Sequence, residues 1–155
     1  MKGGFFGIDA KERTARLFDD GETRFSTTTL AQVGLGVAKL FERPLFELEK
    51  FKNSFVYINS FTVSQNQILQ SVQKATGTSV EDWKVTYVPS DAAIEQGMAE
   101  FKTGNFRGLL DVLYGNNAKK GMGGSYDDKL HNVLLGLKEE DLDVVVKGII
   151  QNVEN

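Results

Sequence analysis

His131 is the only imidazole among 155 residues, and there is no cysteine. A histidine cluster for a metal, a thiol nucleophile and a thiolate metal site are therefore excluded together. A Ser-His-Asp relay would have to run through His131, yet no serine occupies a Gly-x-Ser-x-Gly elbow. On its segment, "KLHNVLLGL", His131 reads as a helix-surface or hydrogen-bonded residue. Tyr126 and Lys129 stand three apart in a loop context. A Tyr–Lys pair that shares a helix face with a cofactor ribose and a reacting carbonyl needs a spacing of four. The carboxylates Glu139, Glu140, Asp141 and Asp143 form a run at a helix start, where the dipole favours them, and read as a solvated face.

Three glycine clusters invite a phosphate reading. "GLGVAK" from Gly34 supplies two glycines of a dinucleotide fingerprint, but Lys39 takes the third position and a helix precedes it. "KGGFFG" has Lys2 in the first glycine position and no strand before it. "GMGG" at 121–124 suits either close backbone approach to a ligand or plain loop flexibility. No catalytic constellation emerges, and no catalytic residue is assigned.

Composition narrows the classes further. The net charge of −3 comes from 18 basic and 21 acidic residues interspersed along the chain. No basic stripe offers the phosphate neutralisation that nucleic acid needs, so nucleic acid is not an expected partner. No segment approaches the ~20 apolar residues of a membrane span, and "MKGGFFGIDAKER" reads neither as a leader nor as an anchor. The expectation is a cytoplasmic protein without membrane contact.

The elements that must position any site alternate between strand and helix. "FFGIDA" and "TARLF" read as a small β element with a turn at Lys11–Arg13 and a positive-φ dipeptide at Asp20–Gly21. Thr29 and Gln32 match a capping box for a helix running to Pro44, with Leu30, Val33, Val37, Leu40 and Phe41 on one face. "SFVYIN" reads as a strand. Ser64 and Gln67 form a second capping box, Val63 and Ile68 a hydrophobic staple, and Gly77 a left-handed end to that helix. "WKVTYV" reads as a strand ending at Pro89, and Ser90 as the cap of a further helix. Gly115–Asp128 reads as a long glycine-rich loop, and Leu142, Val145, Val146, Ile149 and Val153 mark a last helix. Trp83 and the eleven phenylalanines read more readily as core than as a ligand cage. The sum is one α/β domain over residues 1–155, a small mixed sheet covered by amphipathic helices, with Phe55–Asn59 and Lys84–Val88 as sheet strands.

Taken together, "GIDAKERTARLFDDGETRFSTTTLAQVGLGVAKLF", "FVYINSFTVSQNQILQSVQKATG", "WKVTYV" and "GNNAKKGMGGSYDDKLHNVLLGLKEEDLDVVVKGII" resemble the C-terminal half of the NmrA-like, isoflavone-reductase-like family of atypical short-chain dehydrogenases. The resemblance covers nearly the whole chain and is strongest at "DDGETRFSTT" and "SFTVSQNQIL". In that family the NADP-binding strand, glycine loop and helix lie in the N-terminal half, as does a catalytic lysine when present. The resemblance therefore implies a truncated Rossmann fold: a substrate-side lobe that binds a small molecule or regulates, without hydride transfer and without a cofactor unless an N-terminal half supplies NADP. Two alternatives stand beside it: a cofactor-free isomerase or cyclase reusing the pocket, and a fragment of an NADP-dependent oxidoreductase. Pairing with a second copy or a full-length relative is a further expectation. Phe5, Phe6, Phe61, Met122 and Tyr126 are the expected substrate-binding set, being apolar residues on loops beside strand ends and flexible glycines. No metal site is expected.

Overall fold

The computed structural model describes residues 6–122 and 124–153, with 152 and 153 described by their backbone alone. The chain is mixed α/β, as its alternating pattern implies, and divides into two compact units: Met1–Phe25, Val63–Gly124 and Asp141–Asn155 in the first, Ser26–Thr62 and Ser125–Glu140 in the second.

The first unit is built on a three-stranded sheet. β1 (Ile8–Asp9) runs antiparallel to β2 (Thr14–Phe18), pairing Ile8 with Ala15, and β2 runs parallel to β5 (Lys84–Val88), from Thr14↔Lys84 to Phe18↔Val88. The tight turn between β1 and β2 is held by Asp9, whose carboxylate accepts from the N–H groups of Lys11 and Glu12, both at 3.0 Å. The crossover from β2 to β5 includes α3 (Gln65–Thr76). Its predicted capping box is present in full: Ser64 accepts from the Gln67 N–H at 3.3 Å and Gln67 reaches back to the Ser64 N–H at 2.9 Å. Gly77 closes the helix at φ 64°, a conformation that costs a residue with a Cβ. Gln65 is buried and does the work of a strand edge, accepting from Phe18 N–H at 2.7 Å and donating to Phe6 C=O at 2.7 Å.

α4 (Ser90–Lys102) and α5 (Gly108–Ala118) pack closely because glycines face each other. A Cβ on Gly97 would lie 2.4 Å from the Gly108 carbonyl oxygen. On the other side, Phe18, Ala93 and Ala118 form a buried cluster with Val88 and Tyr114 against it. Trp83 is a core residue, its indole donating to Thr78 Oγ1 at 2.8 Å. α7 (Leu142–Val153) packs on α3, with Lys74 and Asp143 paired at 3.0 Å.

The second unit holds α1 (Leu30–Phe41), the short α2 (Leu45–Leu48) and α6 (Asn132–Leu135), with β3 (Phe25–Thr27) paired to β4 (Phe61–Val63) where its first segment begins and ends. Thr29 caps α1 by accepting from the Gln32 N–H at 3.0 Å.

Several local expectations are corrected. Phe55–Asn59 is not a strand: Tyr57 makes a single parallel bridge with Leu130, and the N–H groups of Tyr57 and Asn59 donate to the side chains of His131 and Asn132 instead of to a neighbouring backbone. Ser90 does not cap α4 with its own side chain. It is the first helical residue, and the Asp19 carboxylate accepts from its N–H at 2.9 Å and its hydroxyl at 2.7 Å. The segment read as loop from Gly115 is helical to Ala118, with Gly115 small enough to sit against Ser90 and Ile94 of α4 and Ala118 buried with Phe18 and Ala93. On α1 the apolar stripe is exposed, Leu30 at 90% and Phe41 at 74%, while Gln32 and Gly36 face inward. Gln32 is satisfied there by the Lys138 C=O at 3.0 Å, and Gly36 leaves room for Ile58 and Leu137.

Candidate functional site

The second unit contains a cleft of about 560 Å³ lined by Asn59, Ser60, Phe61 and Thr62 on one strand-like segment and by Asp127, Asn132, Glu139 and Glu140 among the residues facing it. Its scaffold is a pair of asparagines. The Asn59 N–H donates to Asn132 Oδ1 at 3.1 Å, and Asn132 Nδ2 donates back to the Asn59 C=O at 2.7 Å and its side-chain oxygen at 3.2 Å. Asn59, 6% exposed, sends its own amide to Thr62 Oγ1 at 2.9 Å. The side chain of one element thus replaces a missing β-ladder partner of the other, and both segments are fixed in register.

Two carboxylates hang on this frame. Thr62 donates its hydroxyl to Asp127. Glu140 accepts from the Thr29 hydroxyl at 2.8 Å and from the Ser60 hydroxyl, while the Ser60 oxygen accepts from the Thr29 N–H at 3.0 Å. Charge-assisted bonds of this kind are about twice as strong as neutral ones. They orient Glu140 toward the start of α1, so the carboxylate run read as a solvated helix start is in part a structural fixture. Asp141, next along, caps α7 by accepting from the N–H groups of Asp143 and Val144 at 2.9 and 3.1 Å.

His131 has a structural position. Its Nδ1 accepts from the Tyr57 N–H at 3.2 Å, its ring stands edge-on to Phe51 at 5.6 Å, and its own N–H donates to Tyr57 C=O at 2.8 Å. The ring nitrogen is thereby committed to the backbone, which suits the hydrogen-bonded reading of the sequence. Tyr126 stacks on Tyr57 with centroids 5.1 Å apart, and the turn Asp127–Lys129 follows it, so Tyr126 and Lys129 share no helix face.

Of the five residues expected to line a pocket, Phe5 lies outside the described residues. Phe61 lines the cleft of the second unit. Phe6 lies in the first unit, stacked on Phe25 at 5.4 Å and tilted against Tyr114 at 5.3 Å, around an apolar gap that leaves no volume for water. Met122 is exposed, and neither it nor Tyr126 lines either cavity. The residues that sequence reasoning missed, Asn59, Ser60, Asn132 and Glu140, are joined by contacts across 73 to 80 positions. Their only sequence signal is polar residues directly after an apolar run.

The donor set can be tested against a dinucleotide. The cleft is lined by three carboxylates and no lysine or arginine, which repels a pyrophosphate. Gly34 and Gly36 are inside α1, and Gly36 is filled by Ile58 and Leu137. Gly124 does serve close backbone approach, but to the protein itself, since a Cβ there would lie 2.8 Å from Asn117 C=O. Neither the cleft nor these glycines therefore fit a phosphate cradle. Among them no group of three His, Asp or Glu side chains is arranged to hold a metal, and no helix is long and apolar enough to cross a membrane.

No protein-family model and no solved structure matches the chain. Curated relatives do. The chain is 30% identical over 149 residues to a protein of Aspergillus flavus named oxidoreductase aprR, covering 95% of this chain and 48% of that protein. It is 29% identical over 150 residues to oxidoreductase poxI of Penicillium oxalicum, covering 94% and 45% respectively. The chain thus spans about half the length of the curated relatives it matches, and its similarity is to proteins named oxidoreductases.

Proposed function

We propose that this chain is the small-molecule-binding, substrate-side portion of an oxidoreductase-type protein and does not itself hold a nicotinamide cofactor. The observation that carries the reading is the cleft of the second unit, about 560 Å³ and framed by the Asn59–Asn132 lock. A pocket of that volume falls within the range that takes small metabolites. Its polar wall is dominated by acceptors, so it suits a ligand that presents hydroxyl or amino donors, with Phe61 and Leu137 supplying apolar contact. The similarity to two oxidoreductases over half their length, and the resemblance of the sequence to the substrate-side half of the isoflavone-reductase-like family, support the same assignment. Hydride transfer needs a nicotinamide held in line with its acceptor, and in this reading another polypeptide region provides it.

Two-dimensional NMR titration with a library of hydroxylated and amino-bearing small molecules tests this. Saturable shifts at the amides of Asn59, Ser60, Thr62 and Asn132 are expected, and Glu140→Gln should weaken them. Ligands that bind only outside the cleft, or none that bind at all, would overturn the reading.

A further inference from the structure

The side-chain donors on the wall of the second unit's cleft are already spent on the protein. Ser60 gives its hydroxyl proton to Glu140, and Thr62 gives its own to Asp127. A hydroxyl has one proton to give. The Asn132 amide donates to both the C=O and the side-chain oxygen of Asn59, while the buried Asn59 amide donates to Thr62 Oγ1. No lysine, arginine or histidine is among the lining residues. A carboxylate, phosphate or carbonyl oxygen on a ligand would find no side-chain donor there, and an anion would also meet the field of Asp127, Glu139 and Glu140.

The acceptors are in the opposite state. The hydroxyls of Thr29 and Ser60 both donate to the same oxygen of Glu140, Oε2, and Thr62 donates to Oδ1 of Asp127. Glu140 Oε1 and Asp127 Oδ2 accept from no donor among the described residues. A carboxylate held through one oxygen keeps the other in a set direction with its lone pairs free. Phe61, Leu130 and Leu137 give the same cleft an apolar side. We propose that the cleft selects a protonated amine carried on an apolar body, its ammonium donating to Glu140 in the field of Asp127 and Glu139 and its carbon skeleton lying against the apolar side. This ligand class rests on the small-molecule reading of the cleft and narrows it from hydroxyl or amino donors to organic cations.

The experiment is NMR titration of the full chain at neutral pH with three probes of one shape: 2-phenylethylamine, which is protonated there, 2-phenylethanol and phenylacetate. The amine is expected to give saturable shifts at the Ser60, Thr62 and Asn132 amides with a Kd roughly tenfold below that of the alcohol, as a charged donor replaces a neutral one. Phenylacetate should shift none of them. Added salt should weaken the amine and leave the alcohol unchanged. Glu140→Gln keeps an acceptor for the Thr29 and Ser60 hydroxyls and removes the charge, so it should erase the preference for the amine. Asp127→Asn, at an exposed position, should reduce that preference. Equal binding of amine and alcohol, binding of the acid at the same amides, or a preference that survives in both variants overturns the cationic ligand class and leaves the small-molecule reading standing. Binding there by neutral ligands of the wider library while the amine fails has the same effect. If no molecule of either set shifts these amides, both readings fall.

Discussion

At the scale of single residues, the side chains that matter most stand in for backbone. Asn132 supplies an acceptor and two donor contacts to Asn59, which lies on a segment with almost no ladder of its own. Removing it leaves the N–H and C=O of a buried residue without partners, which costs about 1–3 kcal/mol. Asn132→Ala should lower stability by that amount in urea unfolding and weaken any cleft ligand, whereas Asn132→Asp keeps an acceptor for the Asn59 N–H and loses only the donor side. Asp82 gives a second residue-scale prediction. Its carboxylate accepts from the Ser79 N–H at 2.8 Å and the Ser79 hydroxyl at 3.0 Å, and Arg13 lies 4.0 Å away. The backbone bond from Ser79, then its hydroxyl, hold the group below its ordinary 3.8. A depressed folded pKa means stability that is present above 3.8 and disappears as the pH falls through the lower folded value. Asp82→Asn should therefore lower the urea midpoint at neutral pH and make the loss below pH 3.8 shallower than in the parent protein. An identical acid limb in both proteins would show that this turn contributes nothing to the titration.

At the scale of elements, legibility followed contact range. The Ser64–Gln67 box and the Gly77 end of α3 were readable because every atom involved lies within a few residues. Asn59–Asn132, Thr29–Glu140 and Gln32–Lys138 were not, since each joins residues 73 to 111 positions apart and no local periodicity records the pairing. The strand reading of Phe55–Asn59 failed for the same reason: the composition favours extended backbone, but the partner is a row of side chains. α1 misleads most, since its apolar stripe is a correct helix signal that points to solvent while Gln32 and Gly36 point inward. The glycines turn this distinction into measurements. Gly34 has nothing within 4 Å of where a Cβ would sit, so Gly34→Ala should stabilise α1 by up to about 1 kcal/mol through helix propensity. A Cβ on Gly97 would lie 2.4 Å from the Gly108 carbonyl oxygen, a backbone atom that cannot rotate away. Gly97→Ala should cost about 1–3 kcal/mol from overpacking despite the same propensity gain. Thermal unfolding of the two variants checks the opposite signs.

At the scale of the whole molecule, the question is whether this length of chain can hold a nicotinamide nucleotide. A dinucleotide brings two phosphates, and NADP a third, all of which require backbone N–H groups at a helix N-terminus or a cluster of cations. The chain carries a net charge of −3. The cleft of its second unit is walled by Asp127, Glu139 and Glu140, and its fingerprint-like glycines at 34 and 36 are spent inside a helix. Lys119 is already paired with Asp91, which leaves the neighbouring Lys120 as an exposed, screened cation. A few such charges give contacts worth at most about 1 kcal/mol each, far from the affinity of a built pyrophosphate site. We therefore expect calorimetric titration of the chain with NADPH at ordinary ionic strength to show no saturable binding at low micromolar concentration. If another polypeptide region provides the nucleotide site, the same titration should become saturable once that region is co-purified with the chain. Low-micromolar binding by the chain alone would instead mean that a phosphate site is assembled from residues outside those described, and the division of labour proposed for the two halves would fail.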